Sequence, residues 1–200
     1  MKDVIAGLML AAGAGERFGA TKQLALLDGR PLLEHGLAAM ARVGLDRLIV
    51  VLGSHADDVL AGVDLQGAKP LLCERWGEGQ AASLACGLSS LEESHNGDLD
   101  AVVVALGDQP GLATGAVHRV LGARGRKPAV RATYGGQPGH PVVLERELLS
   151  KLRDATGDVG ARGVLRRAGA TEVPCDDLGG GADVDTPADL AALRAGGRLA

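Results

Sequence analysis

The sequence predicts a single α/β domain over residues 1–200, built on a mostly parallel sheet with helices on both faces. Short aliphatic segments alternate with segments whose apolar residues recur at helical spacing, which is the pattern of right-handed βαβ units. The strand-like segments are almost continuously apolar, as strands buried on both faces are. Hydrophobic residues make up 46% of the chain and aromatic residues only 2%, so the core must be aliphatic.

The first two thirds of the chain supply the predicted sheet and its crossover helices. Four short apolar segments bounded by Gly or Pro are predicted strands: residues 4–10, 47–52, 101–106 and 128–132. Three helices are predicted between them: one that begins at Pro31 and stops at Gly44, one over 80–91 and one over 114–123. Ligands of such sheets bind at the carboxyl ends of the strands, so the residues that follow each strand are the candidates for a site.

Beyond Tyr134 the pattern is looser. The segment "YGGQPGHPVVL" surrounds a short strand with Gly and Pro, and helices are predicted over 145–154, over 162–168 and from near Pro187. We expect these later elements to pack beside the sheet rather than to form a second domain.

Charge and cysteine content exclude several classes of protein. A net charge of −4 and a pI near 5.7 argue against a nucleic-acid or anionic-membrane surface, since both require a clustered basic patch. The three cysteines, Cys73, Cys86 and Cys175, form no C-x-x-C pair, so we expect neither a disulfide framework nor a zinc site. With no signal-peptide or membrane-span pattern, the expectation is a soluble protein of the reducing cytoplasm.

The stretch "GLMLAAGAGERFGATKQ", residues 7–23, is the first candidate site. A dinucleotide loop requires G-x-G-x-x-G, but Phe18 stands where the third glycine belongs, and a Walker A loop requires Gly-Lys-Ser/Thr, whereas Thr21 precedes Lys22. A long glycine loop around a nucleoside triphosphate fits better, with Arg17 and Lys22 as the cations that neutralise the phosphates. Binding of NAD(P)H stays open.

Several motifs together resemble those of a known family. "LAAGAGERFGATK" (10–22) is similar to the signature of the MobA-like nucleotidyltransferases, within them most similar to the molybdenum cofactor cytidylyltransferase branch. "WGEGQAASLACGL" (76–88), "ALGDQPGL" (105–112), "YGGQPGHPVVL" (134–144), "GDVGARGVL" (157–165) and "DVDTPADL" (183–190) match further family blocks in order. The resemblance implies a Rossmann-like sheet of the nucleotide-diphospho-sugar transferase type.

The resemblance also implies a mechanism and a set of site residues. The enzyme would move CMP from CTP to a molybdopterin-bound molybdenum cofactor with Mg²⁺, and a molybdenum hydroxylase apoenzyme would be its partner. Ala12 corresponds to the position that separates cytidine from guanine users. By family position the implied residues are Arg17, Lys22 and Asp108 (catalytic), Leu10, Ala11, Ala12, Gly13, Gly15, Gly79 and Ser83 (nucleotide), Asp108 and Asp185 (metal) and His140 (acceptor).

Several residues of these motifs also have a structural interpretation. Asp108 is a common turn residue, and Asp183 or Asp185 could cap the helix that begins near Pro187. Surface arginines and lysines are usually solvated, as Arg17 and Lys22 could be. Gly77, Gly79 and Ser83 could simply begin a helix, and His140 could be a structural hydrogen-bonding residue.

Two other functions share the same motifs. Proteins with a similar block pattern include NAD(P)H-dependent oxidoreductases of the nicotine blue oxidoreductase type, although no hydride-transfer group is evident here. A non-catalytic accessory protein of molybdoenzymes is the other alternative. The acceptor and the oligomeric state are not determined by the sequence.

Overall fold

A mixed, twisted sheet lies at the centre of the computed structural model, which describes residues 3–95, 98–155 and 157–196, without the side chains of 157–162. The strands are β1 (Ile5–Leu10), β2 (Leu26–Leu27), β3 (Arg30–Pro31), β4 (Arg47–Leu52), β5 (Lys69–Leu72), β6 (Ala101–Leu106), β7 (Ala129–Tyr134), β8 (Gln137–Glu145) and β9 (Ala170–Pro174). The helices are α1 (Leu32–Ala41), α2 (Ala56–Gly62), α3 (Gln80–Ser94), α4 (Thr114–Gly122), α5 (Arg146–Arg153), α6 (Gly157–Ala168) and α7 (Pro187–Arg194).

Seven of these strands form the main sheet, in the order β5-β4-β1-β6-β8-β7-β9. Neighbouring strands are parallel except at β8, which runs antiparallel to both β6 and β7. The carboxyl ends of the other six strands therefore share one edge of the sheet. The two-residue strands β2 and β3 form a small hairpin of their own.

Apolar layers cover both faces of the sheet, because successive residues of a strand point to opposite sides. Met9 packs on one face with Leu37 of α1 and Val117 of α4, whereas Leu8 packs on the other with Leu88 of α3 and Leu148 of α5. All six side chains are almost completely buried. The predicted α/β architecture with an aliphatic core is confirmed.

The sequence did not predict the edge strands of the sheet, and it predicted the later segments only in part. Strands β5 and β9 were missed because they lie at the two edges of the sheet and carry polar or exposed residues, such as Lys69 and Glu172, in place of a buried apolar run. Helix α2 was missed as well. Of the elements after Tyr134, α5 packs on a face of the sheet as expected, but β8 lies within the sheet between β6 and β7, and β9 forms one of its edges.

The expectation that no disulfide forms was wrong. Cys73, directly after β5, is bonded to Cys86 in α3, with a Cα–Cα distance of 6.0 Å. The pairing could not be foreseen, because β5, which brings Cys73 beside the helix, was not predicted. The expectation of a reducing cytoplasm rested on the absence of disulfides, so it loses this support. Among the described helices, none combines the length and the apolar composition that crossing a membrane requires.

Candidate active site

A cleft of about 400 Å³ opens at the carboxyl edge of β1 and β6. The predicted residues that line it are Leu10, Ala11, Ala12, Gly13, Gly15, Arg17, Lys22, Gly77, Gly79, Ser83, Asp108 and Asp185. They come from four separate segments of the chain, which the sheet brings to one edge. Of the residues that the family resemblance implied, only His140 lies outside this cleft.

The glycine loop after β1 forms one wall of the cleft. Gly15 has a φ of 68°, and a Cβ added there would lie 2.8 Å from the carbonyl oxygen of Ala20, so only glycine fits. The buried side chain of Gln23 donates from Nε2 to the carbonyl oxygens of Ala11, at 2.8 Å, and Gly13, at 3.1 Å. Gln23 thus stabilises the conformation of the loop. It was missed, although it directly follows Lys22.

Four charged side chains meet at the mouth of the loop. Lys22 Nζ donates to Asp108 Oδ2 at 2.9 Å and to Asp185 Oδ1 at 3.2 Å. Arg17 Nη2 contacts the other oxygen of Asp185 at 2.8 Å. The Lys22 side chain is 13% exposed and those of the two aspartates 28%, so solvent screens these contacts less than it screens pairs at an open surface.

A second pair joins the segments that carry the two aspartates. Gln109, buried in the turn after β6, donates from Nε2 to Asp183 Oδ1 at 2.6 Å. The backbone N–H of Val184 donates to the carbonyl oxygen of Asp108 at 2.9 Å. Burial raises the pKa of the Asp183 carboxyl, and the hydrogen bond from Gln109 partly offsets the rise. From the sequence Asp183 was considered only as a helix cap, and its contact with Gln109 was not predicted.

The cap of α7 does not use Asp183 or Asp185. Thr186 caps the helix by accepting from the N–H of Asp189, whose carboxylate accepts from the N–H groups of Asp185 and Thr186. This is a complete capping box with Pro187 at the first helical position. The side chain of Asp185 is therefore directed to Arg17 and Lys22 rather than to the helix end.

The start of α3 forms the opposite wall. Gly79 precedes the helix with a φ of 106°, in a region that L-residues rarely adopt. The first N–H groups of a helix lack intrahelical partners and carry a partial positive charge, so an anion is favoured there. Trp76 and Gln80 also line this wall. They lie in the quoted motif, but no role was assigned to them.

The two aspartates suit a divalent cation that is shared with a ligand. Both carboxylates contact one ammonium group, and Asp108 Oδ1 is buried without a hydrogen-bond partner in the described part of the chain. No group of three or more His, Cys, Asp or Glu residues with a metal-binding arrangement exists among the described residues. Mg²⁺ commonly takes one or two carboxylates and completes its shell with substrate phosphates and water, which fits this pair.

His140 lies in a neighbouring space that we call the side cavity. Its lining comes from α3, β6, β7, β8 and the end of α6, and includes Leu84, Val104, Arg131, His140, Val142 and Arg166. Burial lowers the pKa of the His140 imidazole to about 4, and Asp108 partly opposes this. The ring is consequently neutral at pH 7, with one nitrogen as donor and one as acceptor.

Comparison with known proteins identifies the family of the chain. Residues 7–173 match the MobA-like NTP transferase domain. The chain belongs to this family. It is a nucleotidyltransferase-superfamily protein with the fold that the motifs implied, so the resemblance to the MobA-like nucleotidyltransferases is confirmed.

Three relatives illustrate the range of the family. Nicotine blue oxidoreductase of Paenarthrobacter nicotinovorans is 31% identical over 193 residues, which is 91% of this chain and 92% of the relative. A homolog of Mycobacterium tuberculosis Rv0371c from Mycobacterium sp. strain JC1 is 31% identical, with 98% of each chain covered and a TM-score of 0.82. Rv0371c of M. tuberculosis H37Rv in complex with manganese is 28% identical, with 96% of this chain and 98% of that one covered and a TM-score of 0.78.

Proposed function

We propose that the protein, as a single nucleotidyltransferase domain over residues 1–200, transfers CMP from CTP to a molybdopterin-bound molybdenum cofactor and releases pyrophosphate. The observation that carries the proposal is the contact of Lys22 Nζ with both Asp108 and Asp185 at the mouth of the glycine loop. One cation and two carboxylates at this edge are what a triphosphate and a divalent metal require.

In this reaction an oxygen of the acceptor phosphate attacks the α-phosphorus of CTP, and the bond from that phosphorus to the bridging oxygen of pyrophosphate breaks. The acceptor phosphate is already ionised, so the protein need not supply a general base. Its residues position the two reactants and neutralise charge. Lys22 and Arg17 would contact the triphosphate, and the first N–H groups of α3 would favour another anionic group.

Asp108 and Asp185 would hold the metal, which supplies positive charge to the phosphate oxygens in the transition state. We propose Mg²⁺ as this metal. The manganese complex of Rv0371c, together with the unpartnered Asp108 Oδ1, supports a divalent cation at the pair. When the cation binds, Lys22 would exchange its carboxylate contacts for phosphate oxygens.

The choice of base, acceptor and partner is also part of the proposal. Leu10, Ala11, Ala12, Gly13 and Gly15 would bring backbone close to the nucleotide, and Gly79 and Ser83 would contact it from the opposite wall. Ala12 favours cytosine by family position. A pterin acceptor would lie in the side cavity against His140, and a molybdenum hydroxylase apoenzyme would receive the product. We place the protein in the cytoplasm with these substrates.

The direct test is pyrophosphate release from CTP and GTP with the molybdopterin cofactor and Mg²⁺. We expect release with CTP, and a fall of at least about 100-fold in kcat/KM for Asp108→Asn and Asp185→Asn. Asp57→Asn on the exposed side of α2 is the matched control and should retain wild-type activity. Full activity in Asp108→Asn would refute the metal assignment.

A second candidate function is NAD(P)H-dependent reduction of the kind performed by a nicotine blue oxidoreductase. The observation that favours it is the 31% identity to that protein over nearly the whole of both chains. It predicts binding of NADPH without a metal and no dependence on Asp108 or Asp185. Oxidation of NADPH with a quinonoid dye, followed at its absorbance band, would support this function if the same preparation released no pyrophosphate.

A further inference from the structure

The side cavity has a volume of about 670 Å³ and adjoins the cleft, because Leu10 and Gln80 line both spaces. A molecule held in the side cavity can therefore present one end to the cleft. The inference below rests on the proposed nucleotidyl transfer, in which that molecule is the acceptor.

The side cavity extends across the strands of the sheet from β1 towards β7. Leu8 of β1 pairs with Val104 of β6, Val104 pairs with Val142 of β8, and Val142 pairs with Arg131 of β7. Paired residues share a face, so these four side chains form a row on the face of the sheet on which α3 packs. Three strand spacings of about 4.8 Å place Arg131 roughly 14 Å across the sheet from β1, where the cleft lies.

The two ends of this row differ in chemistry. Near the cleft and in the middle, the lining is mostly aliphatic, with Leu84, Val104, Val142 and Leu144. Arg131 of β7 lines the far end, and Arg166, which also lines the cavity, comes four residues before Ala170 of β9, the strand that pairs with β7. No Asp or Glu is among the described residues that line the cavity. The far end therefore carries guanidinium groups over an apolar floor, and one of them, that of Arg131, is paired with Glu172.

The hydrogen-bonding capacity of the two arginines is only partly used. Arg131 donates from Nη2 to Glu172 at 2.5 Å, but its Nε is buried and has no partner among the described residues. Arg166 is exposed and makes no ion pair with any side chain that the structure describes. A guanidinium with unused donors beside an apolar wall is suited to bind an oxyanion.

We propose that the acceptor carries a second negatively charged group, which Arg131 and Arg166 bind at the end of the side cavity remote from the cleft. Between this group and the phosphate that attacks CTP lies a ring-sized apolar body, which packs on Val104 and Val142. His140 offers that body one neutral donor and one neutral acceptor. Small acceptors without such a body, such as a three-carbon phosphate, would leave the aliphatic floor uncovered.

The test uses two fluorescent probes of similar shape that differ in charge. Anilinonaphthalene sulfonate carries an anionic group on an apolar body, and N-phenylnaphthylamine is the neutral counterpart. We expect Arg131→Gln and Arg166→Gln each to raise the Kd of the sulfonate by about tenfold, the loss of one charge-assisted contact, and to leave the Kd of the neutral probe unchanged.

Two further variants make the outcome specific. Arg167→Gln removes a neighbouring exposed arginine that does not line the cavity, so the sulfonate should bind as it does to the wild type. Glu172→Gln removes the carboxylate that competes for Arg131, so the sulfonate should bind more tightly. Equal effects of Arg166→Gln and Arg167→Gln, or equal losses for both probes, would overturn the proposal.

Failure of this inference can be separated from failure of the proposed function. Titration of each variant with CTP and Mg²⁺ reports on the cleft alone, and the arginine variants should bind the nucleotide like the wild type. If the arginine variants bind the nucleotide normally and change the Kd of both probes equally, or of neither, only the second anion site is refuted. Circular dichroism and thermal melting establish that Arg131→Gln is folded, and Arg166→Gln provides an exposed substitution that leaves the core untouched.

Discussion

Gln109 Nε2 lies 2.6 Å from Asp183 Oδ1, and this hydrogen bond joins two segments that are 74 residues apart in sequence. Each segment carries one of the two aspartates that contact Lys22. Asp108 directly precedes Gln109, and Asp185 is two residues beyond Asp183. The separation of the two site carboxylates therefore depends on this pair as well as on the backbone contact between Val184 and Asp108.

Gln109→Leu removes the donor and leaves the Asp183 carboxylate partly buried without it. We expect a loss of about 1–3 kcal/mol in the free energy of unfolding, together with weaker binding of Mn²⁺ as measured by electron paramagnetic resonance. Asp183→Asn keeps an oxygen that can accept from Gln109, so it should retain most of the metal affinity. A purely structural role for the pair would lower stability in Gln109→Leu without changing the Mn²⁺ affinity.

Lys22→Ala removes the ammonium group between two carboxylates. In metal-free buffer we expect the melting temperature to fall by about 3 °C, which corresponds to about 1 kcal/mol for a domain of this size. Added Mn²⁺ should then raise the melting temperature more than in the wild type, because the metal no longer competes with Lys22. Lys69→Ala on the exposed edge strand β5 is the control. The account is contradicted if Mn²⁺ stabilises the wild type and Lys22→Ala equally.

His140 should make stability depend on pH in a defined window. Burial lowers its pKa to about 4 in the folded protein, against about 6.5 when unfolded, so the unfolded chain binds more protons between these values. The free energy of unfolding should therefore decline as the pH falls from about 6.5 towards 4. In His140→Gln, urea unfolding at pH 7.5 and pH 5 should show a smaller decline. An identical decline in both proteins would mean that carboxylates alone produce it.

The Cys73–Cys86 disulfide closes a loop that contains the α3 wall of the cleft, from Trp76 to Ser83. Reduction by dithiothreitol, or Cys86→Ser, should lower the free energy of unfolding by about 2–4 kcal/mol, the usual contribution of a disulfide with a short loop. Dithiothreitol should have no further effect on Cys86→Ser. A titration that finds three free thiols in the untreated, denatured protein would show that the bond does not form.

The central strands and the cleft could be predicted because their signals are local. Buried strands such as β1 and β6 are continuous apolar runs, and the glycine loop and Asp108 each follow one of them directly. Edge strands have no such run, since half or more of their side chains face solvent, and β5 and β9 were missed for that reason. The disulfide depends on β5 and was missed with it.

Within the site, the charged residues could be predicted one by one, but the hydrogen-bonded pairs that join distant segments could not. Arg17 and Lys22 stand out as cations in a glycine-rich loop, and the family resemblance implied the roles of Asp108 and Asp185. Whether Asp185 caps α7 was decided only by the observed capping box of Thr186 and Asp189. Contacts such as that between Gln109 and Asp183 join distant segments by side chains that are common in turns, and no periodicity marks them.

The most direct test of the central claim is isothermal titration of the purified protein with CTP, GTP, ATP and NADPH, each with and without Mg²⁺. The account predicts that CTP binds most tightly, that Mg²⁺ strengthens its binding, and that Asp108→Asn and Asp185→Asn lose this dependence on Mg²⁺. Tight binding of NADPH that is independent of metal, with no heat from any triphosphate, would contradict it.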